Sequence, residues 1–353
     1  MRKKITYRRK KKNEPAPDSR ITNETVAEHR ERILAGGRKF KYPIQYAKHK
    51  LVINTLLIVL GAVVVLGVIS YVQLYQLQNT NSFFYRLTKI VPVPVASVDG
   101  AAVRYSDYLM YYRSSEHYLL QYDGVKKNTE SGQRQLDYIK RETMNNAIAD
   151  AYASKIAKQN NISVDDKDID AIIDQDKNTQ DGRISQEAYD ASALRILDWS
   201  AEEYKLVVRK GLLLHKVAYF VDENATKKQK QAVELAKQPN ADFNQIATNL
   251  SDEKSKVVSG ATGLIKISGS FGGVSAEAAK LQKGQVSGAI KSSTGDGYYI
   301  VRLAEKTDTH VNYDFIHVPL TEFKTKLDNL RSSNKINEYI VIPQAEDANT
   351  KQK

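Results

Sequence analysis

The side chains that most often carry chemistry in proteins are scarce in this sequence. Cysteine is absent, and only six histidines occur in 353 residues. No two histidines have the His-Glu-x-x-His spacing that sets two imidazoles on one helix face for zinc. The sequence therefore indicates neither a thiolate nucleophile nor a metal centre, and we expect no cofactor.

Two polar ring residues near the C-terminus stay as candidates. Tyr299 lies in GYYIV, a run of aromatic and β-branched residues that is typical of a buried strand. Its hydroxyl could hydrogen-bond a substrate. His317 lies in the strand-like segment VNYDFIHV. For both residues, ordinary packing in a strand is the alternative interpretation.

The first element along the chain is a membrane-spanning helix. Residues 51–72 carry no charge, and at about 1.5 Å per residue they span roughly 33 Å, enough for a hydrocarbon core of about 30 Å. Basic residues are frequent before this run and scarce after it, which predicts a cytoplasmic N-terminus and an extracytoplasmic body. Tyr71 and Tyr75 suit the aromatic belt of the interface. A buried core helix and a cleaved signal peptide fit the length and flanks less well.

The positive charge of the chain is concentrated before this helix. Residues 1–50 hold sixteen Lys and Arg against five Asp and Glu, so they carry +11 of the formal +12. The body is close to neutral, which excludes a basic nucleic-acid-binding domain. We expect a positive-inside tail, and contact with anionic lipid head groups is an alternative role for it.

The body divides by pattern into a helical part and a mixed part. Apolar residues at helical spacing dominate up to residue 215, and Ser200 with Glu203 forms a capping box that opens the last of these helices. Residues 216–221 read KVAYFV and predict a strand. Two helices, a strand, a helix and the strand around Tyr299 follow, which indicates a compact α+β domain.

Residues 95–303 resemble the parvulin-type (PpiC, rotamase) foldases, the family of SurA, PrsA and PpiD. The segment ASVDGAAVRYSDYL is similar to the opening of their helical chaperone domain. The segments ADFNQIATNLSDEKSKVVSGATG and LQKGQVSGAIKSSTGDGYYIVRL are similar to their isomerase domain. The resemblance implies an α+β protein with a SurA-N-like all-α chaperone domain followed by a parvulin-like domain.

The resemblance also implies where a prolyl isomerase site would lie. The family has two histidines on adjacent central strands, an Asp or Cys nearby, and a proline pocket lined by Met and Phe. By alignment the histidines fall on Ala218 and Tyr299, and the Asp falls on Ala261. Only Tyr299 could take part in catalysis, so we expect weak isomerase activity or none. His317 in DFIHV resembles the histidine with which a strand opens in the family, but it lies at a different position in the sequence. A relic of a second isomerase repeat would explain this position. The nearest apolar candidates for the substrate pocket are Phe220, Leu264, Phe271 and Val274.

The predicted organisation is a cytoplasmic basic tail (1–50), a transmembrane helix (51–72), a linker (73–90), a helical chaperone domain (91–215), a parvulin-like domain (216–305), a C-terminal strand and helix (306–343) and a disordered tail (344–353).

Three functions follow from this organisation. The first hypothesis is a membrane-anchored extracytoplasmic foldase or chaperone that binds unfolded or nascent exported proteins beside the translocation machinery. The second is an active prolyl isomerase that uses Tyr299 in place of the histidines. The third is a non-catalytic scaffold that binds one envelope partner. The expected partners are unfolded polypeptide and the lipid bilayer, and no nucleic acid.

Overall fold

The structure is a computed structural model that describes residues 22–41, 43–179, 182–268 and 271–343. The predicted disordered tail and the first part of the predicted basic tail lie outside these ranges. The chain forms two compact units, one that ends at Tyr71 and one that begins at Val72.

The first unit contains the apolar segment. Helix α1 (Asn23–Lys41) is followed by α2 (Pro43–Tyr71), and a π-helical turn (Val72–Gln76) opens the second unit. The stretch His49–Gln76 is one helix in the described chain that is long and apolar enough to cross a membrane, and none of its apolar window is buried. The apolar helix lies where the uncharged run of the sequence predicts it.

The helical part of the second unit surrounds a small sheet. Its elements are α3 (Ser82–Ile90), β1 (Pro94–Val98), β2 (Ala101–Arg104), α4 (Tyr105–Gln121), α5 (Glu130–Gln159), α6 (Asp166–Asp176), β3 (Asn178–Thr179), β4 (Gly182–Arg183), α7 (Gln186–Leu197) and α8 (Ala201–Val221). The central helix α5 buries one face because its apolar residues recur every three to five positions, among them Leu136, Ile139, Ala147 and Ile148. The predicted capping box of Ser200 and Glu203 is confirmed at the start of α8.

The strand predicted over residues 216–221 is wrong, because this segment continues α8. Four residues of α8 lie three or four positions from one another, which sets them on one helix face: Leu214, Val217, Ala218 and Val221. This face packs on the core of the helical part. Packing of this face outweighs the strand preference of the β-branched and aromatic residues between them. The packing of these residues on one helix face therefore makes the segment helical.

The mixed part is built on a five-stranded antiparallel sheet. Its elements are α9 (Glu223–Ala236), α10 (Phe243–Leu250), β5 (Val258–Ala261), β6 (Ile265–Lys266), a 3-10 turn (Phe271–Gly273), α11 (Val274–Ala279), β7 (Ile290–Lys291), β8 (Gly297–Lys306) and β9 (His310–Pro319). The strand order is β5-β9-β8-β7, and β6 also pairs with β9. Helices α9 and α10 cover one face and α11 covers the other.

The C-terminal segment joins the two parts of this unit. After β9, helix α12 (Glu322–Ser332) leads to β10 (Ile336–Glu338), which pairs with β1 in the sheet of the helical part. Asp222, at the end of α8, is buried and accepts backbone hydrogen bonds from Thr321 (2.7 Å), Glu322 (3.0 Å) and Ala225 (2.8 Å). Residues 306–343 therefore supply strands to both sheets.

A buried charged group connects α4, α5 and α8. Lys210 Nζ lies 2.8 Å from Asp107 Oδ2 and 3.4 Å from Asp150 Oδ2. The Tyr111 hydroxyl donates to the same Asp150 oxygen at 2.6 Å. Burial raises the pKa of Asp150 above its usual range, although Lys210 and Tyr111 oppose this shift. Lys210 is thus the counter-ion of two carboxylates.

Removing this counter-ion should destabilise the protein. We expect Lys210→Met to lower the free energy of unfolding by about 3 kcal/mol, because a buried carboxylate then loses its partner. Trp199, the only tryptophan, lies just before α8 and gives a fluorescence signal for urea denaturation. The loss in free energy of unfolding should become smaller as the pH falls below neutral. A raised pKa means that Asp150 takes up a proton more readily in the folded state than in the unfolded state.

The matched control is Lys205→Met, which removes an exposed lysine of α8 that pairs with Asp170 of α6. An exposed pair contributes roughly 0 to 1 kcal/mol. Equal losses for the two variants would show that Lys210 is not a buried counter-ion.

Candidate functional site

One row of side chains crosses the larger sheet on the face that α11 covers. The register sets Tyr299 of β8 opposite His317 of β9, and the row continues to Ile290 in β7 and Val258 in β5. Directly opposed residues lie close together on one face of a sheet. The Tyr299 and His317 rings stack with their centroids 4.4 Å apart and their planes 17° from parallel. Tyr299 is buried, whereas His317 keeps a partly exposed edge.

Asp296 brings a carboxylate to the stacked pair from the turn between β7 and β8. The Tyr299 hydroxyl donates to Asp296 Oδ2 at 2.7 Å, and the Thr294 hydroxyl donates to Oδ1 at 2.9 Å. His317 Nε2 donates to the Asp296 backbone carbonyl at 3.2 Å and lies 3.7 Å from Oδ2. A tyrosine, a histidine and an aspartate therefore meet at one end of the sheet.

The surroundings fix the charge of the two acids. Burial opposes ionisation of Asp296, but hydrogen bonds from Ser292, Tyr299 and Thr294 and the nearby His317 outweigh it, so the pKa of Asp296 is lowered. Burial, followed by the hydrogen bond to Asp296 and the charge on it, raises the pKa of Tyr299. At neutral pH the site therefore holds an aspartate anion and a neutral tyrosine donor.

Gly297 lets the turn come close enough to the sheet. Its φ is 149°, which L-residues with side chains rarely adopt. A Cβ atom there would lie 2.2 Å from the Val318 carbonyl oxygen and 2.9 Å from His317 Nε2. Only glycine fits between Asp296 and β9.

Helix α8 holds the same turn from the other side. Tyr219 donates its hydroxyl to the carbonyl oxygens of Gly297 (2.6 Å) and Ser292 (3.1 Å). His215, one helical turn earlier, packs its ring so closely on Gly295 that a Cβ there would lie 2.3 Å away. Burial lowers the pKa of His215, which favours a neutral ring. The last turns of α8 thus set the position of the Asp296 turn.

The structure separates the residues that the alignment groups with Tyr299. Ala218 is buried in α8, in the core of the helical part. Ala261 lies opposite Asp314, three residues from the row of Tyr299 and His317, and so faces the other side of the sheet. The residue on the strand next to Tyr299 is His317. The family resemblance implies a histidine on the strand next to that of Tyr299. In this structure that strand is β9, and its histidine is His317.

The predicted pocket residues whose side chains are described are divided between the surface and the core. Phe220 is exposed on α8, and Leu264 is exposed after β5. Val274 is completely buried at the start of α11, in the cluster that contains Tyr299. Phe271 begins the 3-10 turn, and its side chain lies outside the described part of the protein. Of these four residues, Val274 is the one described as packing in the same cluster as Tyr299.

Two residues that the sequence does not single out belong to the site. One is Asp296. The other is Phe315, whose ring centroid lies 6.0 Å from that of Tyr299 and whose edge lies 3.0 Å from the Cβ that Gly260 lacks. The segment SSTGDG gives a turn signal but no sign of which side chain faces the sheet.

The chemistry open to this group is hydrogen bonding and apolar contact. Rotation about an X-Pro bond has a barrier of about 18–20 kcal/mol, because the planar amide is conjugated. Catalysis requires that the twisted amide bind more tightly than the planar one. The aromatic row offers an apolar wall, and the Tyr299 hydroxyl and the His317 ring lie at its edge, where both donate to Asp296. Within the described ranges, no three His, Asp or Glu residues are grouped as metal ligands.

The fold and the site define a class of protein in which a helical domain precedes a sheet with polar rings on adjacent central strands. The model of the SurA-like N-terminal domain matches residues 44–218, and the model of the PPIC-type PPIase domain matches residues 214–305. No curated protein and no solved structure matches the chain.

The chain therefore belongs to the SurA-like, PPIC-type foldase family, which confirms the predicted family and the predicted α+β fold with a helical N-terminal region. The PPIase match ends at residue 305, before β9 begins at His310. The central strand that carries His317 thus lies beyond the segment that matches the family model.

The tight fit of Gly297 can be tested by adding one methyl group. We expect Gly297→Ala to lower the free energy of unfolding by more than about 2 kcal/mol, because the new side chain meets β9 and the backbone is strained. Gly288→Ala is the control, since a Cβ there meets nothing within 4 Å. It should change stability by less than about 0.5 kcal/mol in urea denaturation followed by circular dichroism. Equal stability of the two variants would contradict the described turn.

Proposed function

We propose that this protein is a membrane-anchored extracytoplasmic foldase that binds unfolded exported polypeptides. The observation that carries the proposal is the succession of a SurA-like domain and a PPIC-type domain in one chain. The apolar helix His49–Gln76, at the start of the segment that matches the SurA-like model, supports attachment to a membrane. The basic residues before this helix support a cytoplasmic N-terminus and an extracytoplasmic body. Proximity to the translocation machinery would follow from such an anchor.

An exposed aromatic patch on the helical domain fits the binding of unfolded chains. Tyr118 and Tyr122 are 42% and 47% exposed and stack with their ring centroids 5.4 Å apart. Tyr122 and His117 both hydrogen-bond the carbonyl oxygen of Arg195, which brings Leu194, 55% exposed, to the same end of α4. Exposed aromatic and apolar groups bind varied segments with little sequence preference.

Prolyl isomerisation is the second function, and the group of Tyr299, His317 and Asp296 favours it. The family resemblance places two polar rings on adjacent central strands beside an acid. Here one ring is a tyrosine and the other is a histidine from β9. This group supports more isomerase activity than Tyr299 alone, which was the residue expected from sequence. A fixed scaffold role lacks an observation of its own.

The chaperone proposal predicts that the aromatic patch is needed for holding unfolded clients. We expect Tyr118→Ala with Tyr122→Ala to weaken the suppression of aggregation of several unrelated unfolded proteins, because the stacked rings are lost. The full-length protein in detergent micelles would be compared by light scattering. Tyr138→Ala, which removes another exposed tyrosine, is the control. Undiminished suppression by the double variant would show that clients bind elsewhere, and capture of a single stoichiometric partner without suppression would favour the scaffold.

The isomerase proposal predicts that the rate of isomerisation depends on both the Tyr299 ring and the His317 ring. We expect Tyr299→Phe and His317→Ala each to lower the rate of cis–trans isomerisation of a proline-containing peptide by roughly 10- to 100-fold, the effect of losing one hydrogen bond to a charged or polarised group. Ala261→Ser, on the opposite face, should leave the rate unchanged. No measurable rate in the parent protein would remove this function and leave the holdase proposal standing.

A further inference from the structure

Residues 339–343, at the end of the described part of the chain, present apolar side chains to solvent. After β10 ends at Glu338, burial alternates along the chain, and Ile340 and Ile342 are buried in the core of the helical part. Between them, Tyr339, Val341 and Pro343 point outward, and Val341 is 82% exposed. A β-branched apolar residue so open to water is unusual on a soluble surface unless something covers it.

This row lies beside the end of the membrane-spanning candidate. The helical stretch His49–Gln76 ends one residue before Leu77, which is 64% exposed. The next residue, Gln78, donates its side-chain amide to the Val341 carbonyl oxygen at 2.8 Å. Because neighbouring Cα atoms are only about 3.8 Å apart, the chain itself keeps Val341 near the end of that helix. We call Leu77, Tyr339, Val341 and Pro343 the exit collar.

The composition around the exit collar matches the interfacial zone of a bilayer. Residues 71–80 and 339–343 contain no charged side chain, and their polar residues are Tyr, Gln, Asn and Thr. The head-group layers add roughly 5–7 Å to each side of the hydrocarbon core. Four helical residues, 73–76, follow the apolar run, and at about 1.5 Å each they add roughly 6 Å, which places the following Leu77 near that layer. Tyrosines are enriched there because their rings are apolar and their hydroxyls are polar.

Tyr75 is not available for this layer, although its position after the apolar run suits an aromatic belt. Its hydroxyl donates to the Pro94 carbonyl oxygen at 2.5 Å, and its ring packs edge-on against Tyr105. The sequence segment nearest the membrane is thus tied into the core of the body. Tyr339, from the other end of the chain, supplies an outward tyrosine instead.

From this geometry we infer that the exit collar inserts into the head-group layer of the bilayer, so that the body rests on the membrane at two points far apart in sequence. The inference rests on the proposed membrane anchor. A single helix would leave the body free to swing, whereas contact through both Leu77 and Val341 fixes one side of the helical domain against the lipid. The occupant of the collar is lipid because the collar continues the apolar helix without an intervening charge.

The absence of cysteine makes a site-specific test possible in the full-length protein. Val341→Cys would be labelled with an environment-sensitive fluorophore and reconstituted into liposomes that contain lipids brominated near the head group together with lipids brominated deep in the acyl chains. Val59→Cys, in the apolar helix, reports whether the anchor spans the bilayer. Leu264→Cys, which is 56% exposed and lies beside the other sheet of the body, is the control for a label on an exposed surface away from the collar.

We expect strong quenching by the brominated lipid at positions 59 and 341 and little at position 264. Quenching at 59 with no more at 341 than at 264 would overturn the collar and leave the anchor intact. Absence of quenching at all three positions would overturn both. A blue-shifted label at 341 without lipid quenching would show that protein, such as a second copy, covers the collar, and would also overturn the inference.

Discussion

The fold depends on strand β9 being paired along both of its edges. β8 lies on one side of it, and β5 and β6 lie on the other. Ile316 and Val318 of this strand are completely buried, and a buried backbone group left without a partner costs about 1–3 kcal/mol. Without β9, the sheet would have two unpaired edges in its middle. The strand that completes the sheet is the one that comes last in the sequence.

This arrangement follows from what α8 does with residues 216–221. The sequence predicts a strand there, but the segment packs as the last turns of a helix on the core of the helical part. The strand that pairs with β8 comes from the C-terminal side, and it is β9, which carries His317. The helix also gains two side chains, His215 and Tyr219, that hold the Asp296 turn. The helical conformation of residues 216–221 therefore bears on both parts of the site, the Asp296 turn and strand β9.

Local patterns predict much of this fold and little of the site. The uncharged run of residues 51–72, the capping box at Ser200 and the strand of Tyr299 each depend on neighbours in sequence, and each is found as expected. The register of Tyr299 on His317 depends on two strands joined by a turn, and the place of β9 between β8 and β5 depends on segments about fifty residues apart. Asp296 lies in a polar turn whose direction is set by Gly297 and by α8. No local periodicity carries that information.

The C-terminal return ties the order of folding to the position of the site. β1 and β10 pair Ala96 with Glu338, and such a distant contact adds little to the cost of closing the loop, which grows only with the logarithm of its length. Its effect is on the time at which the structure is completed, because contacts distant in sequence form late. In a chain that emerges from its N-terminal end, α4, α5 and α8 can pack before β9 exists. The sheet of the helical part and the group of Tyr299, His317 and Asp296 are completed only when residues 306–343 have closed both sheets.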